Sequence, residues 1–389
     1  MTPLPTSIRF GGLAILLLLL LAIKSTILFP KSSGPYNTRI TTAKLVDKTR
    51  LDPFAPNNHT LRAIMVTVFY PINTPSQCDP LQTVDYMPPA TAQFWDQELA
   101  SYGVTNATLE NFGMSACRPN ASIGSSCHRE EPPIVIFSPG GQVSRQLYSA
   151  MAQSVASYGY LVITIDHPYD AFIVEFPDGT LVYAANITTP AQTDLDVATR
   201  AQDVSFLLDQ LSANDTVHGV IPGVECGLDV SRVAMFGHSF GGATTAAAML
   251  SDGRIAGGVN MDGTFYGPVV KRGLDRPFLL FSDPNTTPLN YPNWAVMWSH
   301  LRGWKRELAL AGSQHNTFSD IPLLTQLLGF SLFNSTSTLG SVLGTLDGER
   351  VLDVVTAYVV AFVAFVLNGT ESEILQTASP LYPEKTFVD

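Results

Sequence analysis

Charge is scarce in this chain of 389 residues. Only 14% of them are Asp, Glu, Lys or Arg, and 22 basic residues face 33 acidic ones, for a net charge of −11. A nucleic-acid surface needs clustered Lys and Arg, so that class is excluded. The same balance gives little attraction to an anionic membrane. No H-E-x-x-H, no Cys/His cluster and no EF-hand loop occurs, and no G-x-x-x-x-G-K-[ST]. No metal site or nucleotide cradle is expected, and no cofactor. Cysteine is limited to Cys78, Cys117, Cys127 and Cys226, none spaced C-x-x-C. That excludes a zinc or thioredoxin-type site. Internal repeats and charge blocks are also missing.

What remains is apolar. At 46% hydrophobic residues, the chain can bury one large core, or at most two domains. Arg9 precedes thirteen apolar residues, Gly11 to Ile23, before Lys24 interrupts. That length fits a signal peptide or an uncleaved signal anchor better than a span. Eight N-x-S/T sequons begin at Asn58, Asn106, Asn120, Asn186, Asn214, Asn285, Asn334 and Asn368. With an even cysteine count they point to the secretory pathway, either secreted or tethered by the leader. Cys117 and Cys127 flank a polar loop and are the preferred disulfide pair. The expected organisation is a leader over 1–29, a linker over 30–59 and one catalytic domain over 60–389.

Short buried strands are expected at Arg62–Tyr70, Ile134–Phe137, Leu161–Ile165, Arg232–Phe236, Ile255–Met261, Pro277–Ser282 and Glu307–Ala311. Helical periodicity covers Leu147–Tyr158, Asp194–Ser212, Ala243–Leu250, Asn293–Leu301 and Val351–Leu367. Phe172 to Tyr183 reads as a hairpin around Pro177-Asp178-Gly179. This alternation predicts an α/β fold: a mostly parallel, doubly wound sheet with helices on both faces. Ligands then bind at the C-terminal strand ends. Gly140, Ser239, Asp262, Asp283 and His315 all fall there.

Gly237-His238-Ser239-Phe240-Gly241 sits between strand and helix. That is the layout of a nucleophile elbow, in which glycines permit a tight turn that lifts a serine hydroxyl off the sheet edge. The five-residue pattern alone is weak, so a base and an acid must accompany it. Serine needs a base to take its proton. Of seven histidines only His315 follows the last expected strand, where the order Ser…Asp/Glu…His places the base. His167 is a remote candidate. His238 lies inside the elbow, its position turning it from the serine's side. Two acids remain open: Asp283 after the second strand beyond the elbow, and Asp262 after the first. At least one of them is an ordinary turn residue. Two amides must hold the oxyanion. Phe240 supplies one; Pro139 cannot donate, so Gly141 is taken for the other.

Gly237-His-Ser-Phe-Gly-Gly-Ala-Thr244 resembles the nucleophile segment of the plasma-type (group-VII) platelet-activating-factor acetylhydrolase family. Asn260-Met-Asp-Gly-Thr-Phe265 is similar to its acid segment, and Gly312-Ser-Gln-His-Asn-Thr-Phe-Ser-Asp320 to its histidine segment. The resemblance spans about Arg62 to Leu367 and implies Asp262, rather than Asp283, as the acid. It implies an α/β-hydrolase fold and calcium-independent hydrolysis of short or oxidised sn-2 acyl groups of phospholipids. The departure is at the oxyanion loop, where the family has Phe-Ser-His-Gly-Leu-Gly and this chain Phe137-Ser-Pro-Gly-Gly-Gln142. A lipid substrate suggests interfacial contact through Phe94, Trp95 and Leu99, and through Ile321 to Phe333. The alternatives are a carboxylesterase or cutinase-like polyester hydrolase on the same triad and, more remotely, an inactive hydrolase-fold adhesion or scaffold protein.

Overall fold

The computed structural model describes residues 26–72, 78, 80–105, 108–118, 131–286, 290–332 and 338–388. The expected leader lies outside these residues up to position 25.

Nine strands make one sheet: β1 (Asn37–Leu51), β2 (Leu61–Ile72), β3 (Ile134–Ser138), β4 (Leu161–Asp166), β5 (Val233–His238), β6 (Ile255–Met261), β7 (Phe278–Ser282), β8 (Lys305–Leu310) and β9 (Lys385–Phe387). Their spatial order is β9-β8-β7-β6-β5-β3-β4-β2-β1. The six strands from β8 to β4 are parallel; β2 runs against β4, β1 against β2, and β9 against β8. This is the α/β-hydrolase arrangement.

The central strands read as unbroken apolar runs because both their faces are covered. Ile134 and Ile136 pack into one core with Val204, Leu207 and Leu211 of helix α3 (Pro190–Ser212) and Ala246 of helix α4 (Phe240–Ser251). Val135 and Phe137 pack into the other core. There they meet Met151 and Val155 of α2 (Ser149–Ala156) and Val355, Tyr358 and Phe362 of the closing helix α6 (Gly348–Asn368). Helix α1 (Pro89–Glu98) and helix α5 (Ile321–Leu327) complete the elements around the site.

Three expectations are corrected here. The segment read as a linker, 30–59, contains the 15-residue edge strand β1, paired with β2 from Asn37↔Ile72 to Leu51↔Leu61. Its Thr, Arg and Lys residues read as polar loop because an edge strand exposes part of itself to water. The assigned leader, 1–29, ends inside the fold. Ile27 and Leu28 pair with Phe112 and Gly113, and Phe29 is buried against Tyr86 and Phe112, with ring centroids 4.7 and 5.6 Å away. The disulfide of Cys117 is with Cys78, not Cys127. Cys117 N–H donates to Thr38 O of β1 (2.8 Å), and its Cα lies 4.6 Å from that of Cys78. Cys127 lies outside the described residues; Cys226 is also disulfide-bonded. The hairpin is found as expected, Ile173–Glu175 against Leu181–Tyr183.

Candidate active site

The turn between β5 and α4 is compressed. A Cβ on Gly237 would lie 2.3 Å from the Gly241 carbonyl carbon, and one on Gly241 would lie 1.9 Å from Ser138 O. Only hydrogen fits at either place. Ser239 takes φ 54°, ψ −122°, a backbone state that costs a non-glycine residue about 1–3 kcal/mol. Among the described residues four non-glycines have positive φ, and three of them, Gln142, Ser239 and Asp262, gather here.

Ser239 Oγ lies 2.9 Å from His315 Nε2, and His315 Nδ1 lies 2.6 Å from Asp262 Oδ2. A proton on Nδ1 donated to the carboxylate leaves Nε2 bare to accept the serine hydroxyl. His315 is partly exposed and Asp262 is buried. Burial works to raise the Asp262 pKa. The His315 hydrogen bond and charge, the Thr286 hydroxyl and the Asp283 amide outweigh it, and the carboxyl sits below its usual range. The other acid is placed differently. The Asp283 amide donates to Asp262 Oδ1 (3.1 Å), while its carboxylate accepts from Asn285 N (2.5 Å) and caps a turn. Burial, then the Asp262 charge, raises its pKa. Sequence order left both open; in the structure it is the Asp262 carboxylate that lies within hydrogen-bond distance of His315 Nδ1.

Thr286, which motif reading missed, donates its hydroxyl to Asp262 Oδ1 at 2.6 Å. A hydrogen bond to a charged group contributes about 1.5–3 kcal/mol. Thr286→Val should therefore lower kcat by about ten-fold or more. It should also move the acid limb of the kcat/KM profile to higher pH, because one cause holding the Asp262 carboxyl down is gone. An unchanged kcat and limb would refute this. The sequon at Asn285 ends on Thr287 and survives the change.

Of the loop after β3, the Gly140 amide donates to Tyr148 Oη at 3.1 Å. Among the described residues the Gly141 and Phe240 amides have no protein acceptor. A Cβ on Gly141 would stand 3.4 Å from that of Phe240, so the two peptides border one space. Arg200 braces both: its Nη2 donates to Pro139 O (2.6 Å), and its guanidinium lies 5.0 Å from the Phe240 ring centroid.

A second Ser–His–Asp chain lies behind this loop. Ser138 Oγ is 3.1 Å from His167 Nε2, whose Nδ1 is 2.9 Å from Asp203 Oδ2. Geometry alone would make it a rival, but all three residues are 0% exposed. Arg62 clamps Asp203 through two nitrogens (3.0 and 2.6 Å), and Arg200 Nη2 approaches Ser138 Oγ at 3.3 Å. Burial and the Arg200 charge push His167 down to about 4. No substrate reaches this serine.

The base loop is tied down by Asp320, which accepts from Ala150 N (2.8 Å), Met151 N (3.1 Å) and Tyr86 Oη (3.0 Å). Burial, opposed by those donors, pushes its pKa up to about 7.

Ser239 opens onto a pocket of about 270 Å³ lined by Gly141, Gln142, Asp170, Phe240 and Tyr266. The two apolar stretches considered for lipid contact instead converge. Trp95 and Leu99 from one, and Ile321, Leu324, Leu328 and Phe330 from the other, wall a cavity of about 310 Å³ beside Asn316 and Val143. Trp95 is anchored by its Nε1 donating to Ser144 Oγ (2.9 Å), and Phe94 meets Trp95 edge-on and Phe172 and Tyr183 at a tilt. Phe333 lies outside the described residues.

Residues 22–176 and 223–373 match the family model for platelet-activating factor acetylhydrolase, isoform II. The chain is 32% identical to a protein of Arthroderma benhamiae named "Probable 1-alkyl-2-acetylglycerophosphocholine esterase", over 95% of each. It is 25% identical to the platelet-activating factor acetylhydrolase of Cavia porcellus, over 60% of this chain and 57% of that one. Among solved structures, a ferulic acid esterase from Streptomyces cinnamoneus superposes with a TM-score of 0.75 at 29% identity, covering 94% of this chain and all of the other.

Proposed function

The chain belongs to the platelet-activating factor acetylhydrolase, isoform II, family and is a carboxylic ester hydrolase; from that premise we propose that it cleaves the sn-2 acetyl or short-chain ester of phospholipids with Ser239, His315 and Asp262. The observation that carries the reading is the unbroken hydrogen-bond chain from Ser239 Oγ through His315 to Asp262. Ser239 Oγ attacks the ester carbonyl carbon while His315 Nε2 takes the hydroxyl proton. The Gly141 and Phe240 amides hold the oxyanion. As the tetrahedral intermediate collapses, the bond to the glycerol oxygen breaks and His315 returns the proton to that leaving oxygen. Water then attacks the acyl-serine with His315 as base, releasing the acid and restoring Ser239. Asp262 keeps the imidazole in one tautomer and stabilises its charged form. Serine, imidazole, carboxylate and two amides supply every step, so calcium plays no part in it.

The pocket at Ser239 takes the reacting ester, and the neighbouring apolar cavity takes hydrocarbon of the same lipid. The leader and the sequons support an exported or anchored glycoprotein, and the residues from about 60 onward carry the catalytic domain, with β1 completing its sheet. A second reading, a general carboxylesterase, is favoured by the likeness to the ferulic acid esterase.

The deciding experiment is a chain-length profile with chelator present. It compares 1-alkyl-2-acetyl-glycerophosphocholine, phospholipids with longer sn-2 chains, and p-nitrophenyl or feruloyl esters. The proposal expects kcat/KM to fall by about ten-fold or more on going from acetyl to long sn-2 chains. Efficient cleavage of simple or feruloyl esters with the acetyl lipid untouched would transfer the assignment to the second reading.

A further inference from the structure

Neither the serine nor the acid engages His238, the residue just before the nucleophile. Its ring is 2% exposed and both nitrogens are occupied. Nε2 lies 2.8 Å from the backbone carbonyl oxygen of His315, and Nδ1 lies 2.8 Å from Tyr148 Oη. A carbonyl oxygen can only accept, so Nε2 carries the proton. In the neutral ring Nδ1 is then bare and must accept, so the Tyr148 hydroxyl donates to it. That leaves the Tyr148 oxygen to accept from Gly140 N–H, 3.1 Å away. Every bond in the series has a forced direction: Gly140 to Tyr148, Tyr148 to His238, His238 to His315. Burial, with the His315 charge, pushes His238 down to about 3, so the ring keeps this neutral form over the working pH range.

The series joins two places the sheet does not join. Gly140 follows β3 and His315 follows β8, with β5, β6 and β7 between them. Tyr148 comes from the turn before α2, and His238 from the end of β5. Packing supports the fit: Tyr148 lies 4.7 Å from Phe137, and His238 4.8 Å from His315, between ring centroids. A Cβ on Gly140 would stand 3.1 Å from Tyr148 Oη and 3.4 Å from His238 Nδ1, so the loop backbone is pressed onto the junction.

We propose that Tyr148 and His238 are positioning residues that set the distance between the oxyanion loop and the base loop through this one-way bridge. The inference rests on the triad reading above. The oxyanion amides and the imidazole must meet the same carbonyl group, and a displacement of about 1 Å between them can cost on the order of 100-fold in rate.

The test uses Tyr148→Phe, His238→Leu, their double variant and His238→Gln in the full chain. Tyr148→Phe and His238→Leu should each lower kcat by about 10- to 100-fold, with KM changed less than about three-fold. The double variant should be no worse than the worse single one, because either cut opens the same bridge. His238→Gln offers an acceptor to Tyr148 and a donor to the His315 carbonyl, and should recover most of kcat. Multiplicative losses, or a lowered melting temperature with wild-type kcat, would overturn the bridge. If His238→Leu does not fold, the wild-type 15N spectrum supplies the second readout. His238 should hold the neutral Nε2–H tautomer from about pH 5 to 8, and an Nδ1–H form overturns the proposal. Turnover surviving in Ser239→Ala would sink the triad reading itself. A dead Ser239→Ala beside wild-type kcat in Tyr148→Phe sinks only the bridge.

Discussion

Ser239→Ala is expected to lower kcat by about 10⁶-fold while leaving the protein folded, on the scale seen when the nucleophile is removed from a concerted triad. The residue touches its surroundings mainly through its backbone, whose amide donates to Met261 O and whose carbonyl accepts from Gly242 N. Alanine keeps both bonds and loses only the hydroxyl facing His315. The expected companion result is loss of stoichiometric labelling by a fluorophosphonate. The second serine in the same chemical pattern, Ser138, should stay unlabelled in the variant, because its hydroxyl is enclosed between His167 and Arg200. Equal labelling of wild type and variant would mean that another serine reacts. No labelling of either would favour the inactive-scaffold alternative.

The second large effect separates the two acids. Asp262→Asn should cut kcat by about 10⁴-fold, the cost of presenting the wrong imidazole tautomer to the nucleophile. An amide nitrogen opposite His315 Nδ1 would favour the ring form with Nε2 protonated, which cannot accept the serine proton. Asp283→Asn should keep kcat within about ten-fold: the backbone N–H that Asp283 donates to Asp262 survives the change, and an amide beside Asp262 removes a neighbouring carboxyl without removing a donor. The Asn side-chain oxygen can still accept from Asn285 N, so the turn is kept and the melting temperature should change little. If Asp283→Asn alone silences a folded protein, the acid is misassigned.

The alternation of apolar runs and turns was enough to read seven of the nine sheet strands, and Ile255–Met261 coincides end to end. Those strands are legible because they are buried on both faces, so their apolar character is local information. β1 and β9 were missed for the opposite reason. They are edge strands, partly polar, and their extended form is supplied by partners distant in sequence: β2 in one case, β8 in the other. The cysteine pairing failed likewise. Cys117 and Cys127 are neighbours along the chain, but Cys117 lies beside β1, bridged to Arg39, and bonds Cys78. The stretches at Trp95 and Ile321 were singled out correctly as apolar, yet sequence could not say that they face one another across a cavity.

The sequence alone was enough for the fold class, and it located a G-x-S-x-G turn and placed His315 after the last parallel strand. Each follows from short-range rules: apolar runs make buried strands, glycines permit the turn, and chain order places a histidine after the last parallel strand. Tertiary structure alone decided which aspartate aims its carboxylate at His315, and which of two Ser–His–Asp chains is open to a substrate. It also decided that His238 and Tyr148 tie the oxyanion loop to the base loop. The physical reason is common to all three. Hydrogen-bond direction and solvent access depend on where distant segments meet at the sheet's edge, and no pattern within one segment encodes that meeting.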